Sequence, residues 1–363
     1  MNHIKVIQAA LAAEDLDAVL LTGQANRFYA AGFFTPGGDA ACLVPRKGPA
    51  YFFTDARYTE AAGRCLENAE LRETKTGRGL TVQLHDLVFL KSIRRLGFED
   101  AEMSVREHGR FQKAMAQWKF PCEMVPASDA VTKLRHSKDA GELAAMEAAQ
   151  GVAERALEDI LKEIRPGVTE KEIAARLQYL MLHYGASDMS FDPIVVSGPN
   201  GSLPHGVPSE KEIRAGEFVT MDFGCVYQGY CSDMTRTVAV GSATEEMRRV
   251  YETVLAAQEA GIASARAGVT GKAVDAAARE VIREAGYGEY FTHSFGHSLG
   301  VEIHEAPNAS PTNESPLPAG AVISAEPGIY IPGKLGVRIE NVIQITPEGS
   351  RSLTKAPREL LIL

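Results

Sequence analysis

No apolar run in this chain reaches the roughly 20 residues that a membrane helix needs, so no transmembrane helix is expected. The first residues also lack the apolar core of a signal peptide, because Glu14, Asp15 and Asp17 interrupt it. Low-complexity tracts are absent. Cysteine is scarce: Cys42, Cys65, Cys122, Cys225 and Cys231 are odd in number and form no CxxC pair. That pattern predicts reduced, mostly buried thiols in a cytoplasmic protein rather than a disulfide framework. Positive charge is in deficit, with 38 Lys and Arg against 47 Asp and Glu and a formal net charge of −9. The deficit argues against nucleic acid or an anionic membrane as the main partner.

What is present is the composition of a soluble globular protein, 45% hydrophobic and 23% charged over 363 residues. That length exceeds one ordinary core and predicts two domains. Residues 1–130 read as a small α/β layer domain: a helix over 3–14, a short apolar strand over 17–22, and a hairpin of 40–44 with 50–54. Pro126 and Ser128 break this pattern within a boundary region at 125–137. A long amphipathic helix over 138–164 then opens a second domain, residues 131–363.

The second domain contains a duplication. Gly167-Val168-Thr169 recurs as Gly268-Val269-Thr270, an offset of 268 − 167 = 101, and each copy opens a helix. Those helices stop at Gly185 and Gly286, again 101 apart, as expected of C-terminal glycines. Further on, AGEFVTMDFG (215–224) matches AGAVISAEPG (319–328) at an offset of 104. The matches predict a pseudo-twofold α+β domain, with two helix pairs packed on one antiparallel sheet. The period is far too long for a solenoid.

The repeat sets Asp222 and Glu326 at equivalent positions, each ending an apolar strand (FVTMD and VISAE). Burying an unpaired carboxylate there is costly. A second acid follows each across a turn: Asp233 after 233 − 222 = 11 residues, and Glu340 after 340 − 326 = 14. A strand–turn–strand brings each pair side by side. Four converging carboxylates repel and take up protons unless cations neutralise them, which two divalent ions would do. An oxygen-rich set suits Mn, Fe, Co or Zn better than a thiolate site would. His297, in FGHSLG, would supply the single nitrogen, with Gly296 and Gly300 allowing close backbone approach.

These residues resemble the pita-bread metallopeptidases: Xaa-Pro aminopeptidases, prolidases, methionine aminopeptidases and the metal-free creatinases. The resemblance covers the whole chain, with a creatinase-like N-terminal domain (FFTDARYTEAA, 52–62) ahead of a catalytic domain that carries MDFG, SDMTRT, FGHSLG, EIHEAP, SAEPGIY and GVRIEN. The short gap from Glu326 to Glu340, with Arg338 between them, is similar to the proline-specific branch. The resemblance implies two divalent ions per chain, manganese first, with Co, Zn or Fe as alternatives. By it, Asp222 chelates one ion, Asp233 and Glu340 bridge both, and His297 and Glu326 complete the other. A water activated between the ions attacks the scissile carbonyl, and Glu326 accepts its proton.

Three further histidines match family positions: His205 in LPHGVPS and His304 in EIHEAP as catalytic groups, and His293 as a substrate-binding one. On a strand, His293 would share a face with His297, four residues on. An imidazole there can hold the peptide carbonyl or protonate the leaving nitrogen. Arg338 would lie on the strand face of Glu340 and orient a carboxylate or the substrate, and Tyr330 could line a proline pocket. One position departs from the pattern. Many prolidases carry an arginine after HExP that can hold a dipeptide's free carboxylate, and here that residue is Asn308.

The expected function is therefore an Xaa-Pro aminopeptidase acting on proline-containing peptides, with Asn308 favouring longer substrates. The alternatives are an Xaa-Pro dipeptidase with the same site, a metal-free creatinase-type amidinohydrolase, or a non-catalytic binding module. All five ligand positions are kept, which counts against the last two. In relatives the N-terminal domain shapes substrate access and subunit contacts, which implies a homodimer.

Overall fold

The computed structural model describes residues 3–35 and 40–363 and divides into two compact units, Met1–Arg135 and His136–Leu363. The first unit runs α1 (Ile4–Ala13), β1 (Ala18–Leu21), α2 (Gln24–Ala31), β2 (Ala40–Pro45), β3 (Ala50–Thr54), α3 (Thr59–Cys65), β4 (Ala69–Glu73), α4 (Leu80–Leu90), β5 (Arg95–Phe98), α5 (Val105–Met115), β6 (Glu123–Pro126) and α6 (Ser128–Thr132). Its six strands form one sheet in the order β4-β3-β2-β1-β5-β6, antiparallel from β1 through β3 and parallel elsewhere. Strands β1 to β3 are buried at every position, which is why they read as unbroken apolar runs. Alternation divides them between two cores. Val19, Leu21, Cys42, Val44 and Phe52 face one side, and Leu20, Ala41, Leu43, Tyr51 and Phe53 face the other.

The second unit begins with the helix pair α7 (Ala140–Ile160) and α8 (Glu170–His183). Strands β7 (Asp188–Met189), β8 (Ile194–Ser197), β9 (Phe218–Phe223), β10 (Cys225–Tyr227), β11 (Tyr230–Cys231) and β12 (Met234–Ala239) follow. A second pair, α9 (Glu245–Ser264) and α10 (Gly271–Glu284), precedes β13 (Gly296–Ser298), β14 (Glu305–Ala309), β15 (Val322–Ala325), β16 (Gly328–Ile331), β17 (Leu335–Arg338), β18 (Asn341–Ile345) and β19 (Ser350–Ser352). Thr169 caps α8 and Thr270 caps α10, each hydroxyl accepting from the N–H three residues on. Gly185 and Gly286 follow these helices with φ of 106° and 85°, a backbone region that favours glycine.

The duplication is visible in hydrogen bonds. Gly167 N–H donates to Ile213 O, and Ile213 N–H donates back to Val168 O. Gly268 and Leu317 repeat this with Val269, and 317 − 213 = 104. Met221 pairs with Arg236 across β9–β12, and Ala325 pairs with Asn341 across β15–β18. The expected single sheet is interrupted. It consists of two three-stranded pieces (β12-β9-β8 and β11-β10-β7), a five-stranded piece (β14-β13-β15-β18-β19) and the ribbon β16–β17. The halves meet where Glu340 N–H donates to Thr235 O at 3.1 Å.

Each half buries its own helix pair. Leu157, Ile160, Leu177 and Met181 pack on Val219, Met221 and Val238, while Val254, Val274 and Ile282 pack on Ile323, Ile343 and Ile345. Each such side chain contributes roughly 1.5–3 kcal/mol by leaving water. All five cysteines are free, with Cys42, Cys225 and Cys231 buried and Cys65 exposed. Among the described residues no helix is long and apolar enough to cross a membrane.

Candidate metal centre

Strand alternation builds the site. In β9, Val219, Met221 and Phe223 enter the helical core, so Thr220 and Asp222 project from the opposite face. In β15, Ile323 and Ala325 face the core, leaving Ser324 and then Glu326 on the other side. Met234 and Val238 of β12 face the helices, so Thr235 and Thr237 lie on the Asp222 side, with Asp233 just ahead of them. The register sets Asp222 opposite Thr235. It also shows where the repeat is inexact. Since 341 − 236 = 105, Glu340 occupies the position of Thr235, and Arg338 that of Asp233. Only Asp222 and Glu326 are acids at equivalent places.

The carboxylates converge. One oxygen each from Asp222, Asp233 and Glu340 lie within 4.8 Å of one another. His297 Nε2 is 3.7 Å from Asp233 Oδ2 and 3.3 Å from Glu326 Oε1. Asp233 thus joins the three-carboxylate group to His297, and His297 in turn reaches Glu326. Burial pushes the carboxyls of Asp233 and Glu340 well above their ordinary range, and the neighbouring carboxylates push the same way. Burial also raises Asp222, outweighing the opposite pull of Arg338.

Three observations test whether divalent ions fit here. Asp222 Oδ1 and Glu340 Oε1 are buried without a hydrogen-bond partner among the described residues, which is costly unless something binds them. His297 Nδ1 lies 3.1 Å from Ser298 O, and a carbonyl only accepts, so Nδ1 carries the proton. Its Nε2 lone pair therefore faces two carboxylates, an arrangement that needs a cation between them. The donors are carboxylate oxygens with one imidazole, a set suited to first-row divalent ions. The residues fit.

A surrounding layer fixes these groups. Thr235 Oγ1 donates to Glu340 Oε2 at 2.7 Å and accepts from Arg338 Nε at 3.0 Å. Arg338 Nη2 donates to Asp222 Oδ2 at 2.6 Å. Ser324 Oγ donates to Glu326 Oε1 at 2.8 Å and accepts from His297 N–H at 3.0 Å. Gly296 lets β13 approach β15, since a side-chain carbon there would lie 2.0 Å from Ser324 O. Thr235 and Ser324 were missed in the sequence. Each lies two residues from an acid, Asp233 or Glu326, and the two-residue period of a strand was the available signal.

The carboxylates line a cavity of about 440 Å³, with Phe191, Ile194 and Ile303 as apolar wall and His205, His304 and Asn308 as polar wall. His205 and His304 are exposed, and the His304 ring centroid is 4.4 Å from that of His297. Burial and the neighbouring His297 hold His304 below its ordinary pKa. Asn308 pairs across the strands with His297.

The remaining three expected residues sit differently. His293 lies before β13 rather than on it, in a connection held by Arg279, which donates to Phe291 O at 2.9 Å and His293 O at 2.7 Å. Arg338 Nη1 donates to Tyr330 Oη at 2.7 Å, so the Tyr330 proton points to His293 Nε2 at 2.9 Å. His293 Nδ1–H then donates to Ser294 O at 2.8 Å, which leaves a neutral ring with both nitrogens engaged. Tyr330 is buried behind His293 and does not line the cavity. Arg338 ends β17, while Glu340 lies beyond that strand, and the guanidinium is turned to Asp222, Thr235 and Tyr330.

Comparison with known proteins gives the same architecture. Residues 144–347 match the model of metallopeptidase family M24, and residues 3–137 that of the creatinase/prolidase N-terminal domain. The chain is 37% identical to an Xaa-Pro dipeptidase of Pyrococcus horikoshii, over 99% of each chain. Among solved structures it resembles an Xaa-Pro dipeptidase from Bacillus anthracis (41% identity, TM-score 0.91, 99% of each chain). It also resembles an X-Pro aminopeptidase from Thermotoga maritima (37% identity, TM-score 0.92, 100% of each chain).

Proposed function

The chain belongs to metallopeptidase family M24, and we propose that within it this protein hydrolyses the bond between a first residue and proline, with Xaa-Pro dipeptides as principal substrates. The observation that carries this is the convergence of Asp222, Asp233, His297, Glu326 and Glu340 on one small cavity. Its roughly 440 Å³ lies near the lower end of small-ligand pockets and accommodates a dipeptide. Preference for dipeptides over the aminopeptidase reading rests on what the relatives from Pyrococcus horikoshii and Bacillus anthracis are.

In this reading Asp222, Asp233 and Glu340 hold one divalent ion, and Asp233, Glu340, His297 and Glu326 hold the second. When bound, such ions neutralise the carboxylates, acidify water and polarise a carbonyl. Glu326 keeps one oxygen on Ser324 and uses the other to take a proton from the attacking water. His304, held neutral, donates a hydrogen bond to the peptide carbonyl, while His205 relays the proton taken up by Glu326 to the leaving proline nitrogen. Phe191, Ile194 and Ile303 exclude water around the ring. Arg338, Tyr330 and His293 form a relay that holds Asp222 and one cavity wall. Manganese as the metal, a homodimeric state and a cytoplasmic location complete the proposal.

A second reading has its own observation. Arg338 is the one cationic side chain in the cavity wall among the described residues, and it is spent on Asp222. With Asn308 in the wall, no full charge awaits a dipeptide's carboxylate, which favours an aminopeptidase on longer chains. Steady-state rates of the manganese-loaded protein on Ala-Pro, Ala-Pro-Ala and Ala-Ala separate the readings. Higher kcat/KM on Ala-Pro supports the dipeptidase, and a tenfold advantage for Ala-Pro-Ala supports the aminopeptidase. Equal cleavage of Ala-Ala would refute proline specificity.

A further inference from the structure

Arg236 is a buried charge that the reaction above does not use. Alternation turns it away from the carboxylates, since its neighbours Met234 and Val238 face the helices. It is 3% exposed and, among the described residues, has no carboxylate as a hydrogen-bond partner. Instead all five of its N–H groups are used. Nε donates to Pro357 O at 2.7 Å; Nη1 donates to Thr235 O at 2.8 Å and Glu340 O at 2.5 Å; Nη2 donates to Asn341 Oδ1 at 2.9 Å and Ala356 O at 2.8 Å. Burial lowers its pKa to about 10, which still leaves it charged at neutral pH.

The placement is specific. Met221 pairs with Arg236 and Ala325 pairs with Asn341, so Arg236 and Asn341 are counterparts under the duplication and bond to each other across its axis. The two carbonyls on Nη1 belong to Thr235 and Glu340, themselves counterparts and already joined by the Glu340 N–H to Thr235 O bond. On the other face, Thr235 Oγ1 holds Glu340 Oε2. One planar cation thus fixes the spacing of the two halves directly behind the carboxylates.

We infer that Arg236 is a positioning residue that sets the separation of the Asp222–Asp233 side from the Glu326–Glu340 side, and so the capacity to hold two ions together. This rests on the two-ion reading above. Lysine cannot replace the guanidinium, because three donors on one nitrogen cannot span five acceptors set around a plane.

The test is Mn²⁺ titration of the full chain by calorimetry, with the exchange-coupled dinuclear manganese signal read by electron paramagnetic resonance. Wild type should bind two ions with a coupled signal. Arg236→Lys should lose about 10- to 100-fold in affinity for the more weakly held ion, the range for lost outer hydrogen bonds, and should show an uncoupled signal. Its kcat should fall with little change in KM. Leu43→Ala, a truncation on β2 in a separate hydrophobic core, lowers thermal stability and should retain both ions and the coupled signal. If Arg236→Lys does not fold by circular dichroism, Asn341→Ala decides, with an expected loss of several-fold in the same affinity. A folded variant that binds two ions with wild-type affinity and coupling overturns the role of Arg236. Wild type binding no divalent ion would instead sink the two-ion reading and this role with it.

Discussion

Thr235→Val is the most direct probe of the layer behind the carboxylates, because it changes one hydroxyl to a methyl at almost constant shape. Thr235 is fully buried, and its hydroxyl joins a guanidinium to a carboxyl group, donating to Glu340 Oε2 at 2.7 Å and accepting from Arg338 Nε at 3.0 Å. The hydrogen bond from the Arg338 guanidinium is worth about 1.5–3 kcal/mol and that to the Glu340 carboxyl, protonated in the metal-free chain, about 0.5–1.5 kcal/mol, and both partners stay buried when the hydroxyl is gone. A loss of about 3 kcal/mol is expected even if the two sites relax toward each other. For a unit of 363 − 135 = 228 residues, each kcal/mol moves the melting temperature by roughly 2–4 °C, so the drop should be about 6–12 °C. The hydroxyl is also among the contacts that favour the ionised form of Glu340, so Mn²⁺ affinity should fall by about 10-fold or more. Scanning calorimetry of the metal-free chain and a Mn²⁺ titration measure the two effects. Thr235→Ser keeps the hydroxyl and should recover most of both. A Thr235→Val chain that melts within 1–2 °C of wild type and binds Mn²⁺ equally well would refute the argument, since neither bond could then hold Glu340.

Other perturbations separate ligand from catalyst. Asp233→Ala removes the carboxylate that stands between Asp222 and Glu340 on one side and His297 on the other, so bound metal and turnover should both disappear; elemental analysis showing two retained ions would end its bridging role. His304→Ala should lower kcat by about 10²–10⁴ while metal content stays near wild type, and loss of metal would mark it as a ligand instead. The metal-free chain should lose stability as pH rises. Asp233 and Glu340 hold protons in the folded state that the unfolded chain releases, so their contribution is complete below the ordinary carboxylate range near pH 4 and is lost as pH climbs through the raised values. Chemical denaturation of chelator-treated protein between pH 5 and 8 checks the sign, and a stability that increases over that interval would contradict it. The metal-loaded chain should trend the other way, because protons compete with the ions.

What the sequence made legible follows from periodicity. FVTMD and VISAE recur in register, and alternation along a strand turns Asp222 and Glu326 to the face opposite Met221 and Ala325, so the first acid of each half is legible from the chain alone. The first unit was readable for the same reason, since strands buried at every position appear as unbroken apolar runs. The second acids follow from nearness to the first across a hairpin, and the pairing of β9 with β12 and of β15 with β18 keeps them there, though at inequivalent positions: Asp233 stands where the other half has Arg338, and Glu340 where it has Thr235. This asymmetry has a physical reason. Six carboxylates around one axis would need more positive charge than two ions and one guanidinium supply, whereas replacing one acid of each half by Arg338 and Thr235 yields four carboxylates, an internal cation and a hydrogen-bond donor. Duplication thus explains the scaffold, and departure from it explains the chemistry. The residues that sequence left unassigned, Thr235, Arg236, Ser324 and Asn341, act through the direction of single hydrogen bonds, which depends on which face of which strand each occupies and on partners about a hundred residues away. Spacing along the chain carries no trace of that. The donor that holds Glu340 had to be a hydroxyl small enough to fit between two charges, and a threonine within SDMTRT looks the same in a sequence whether or not it does so.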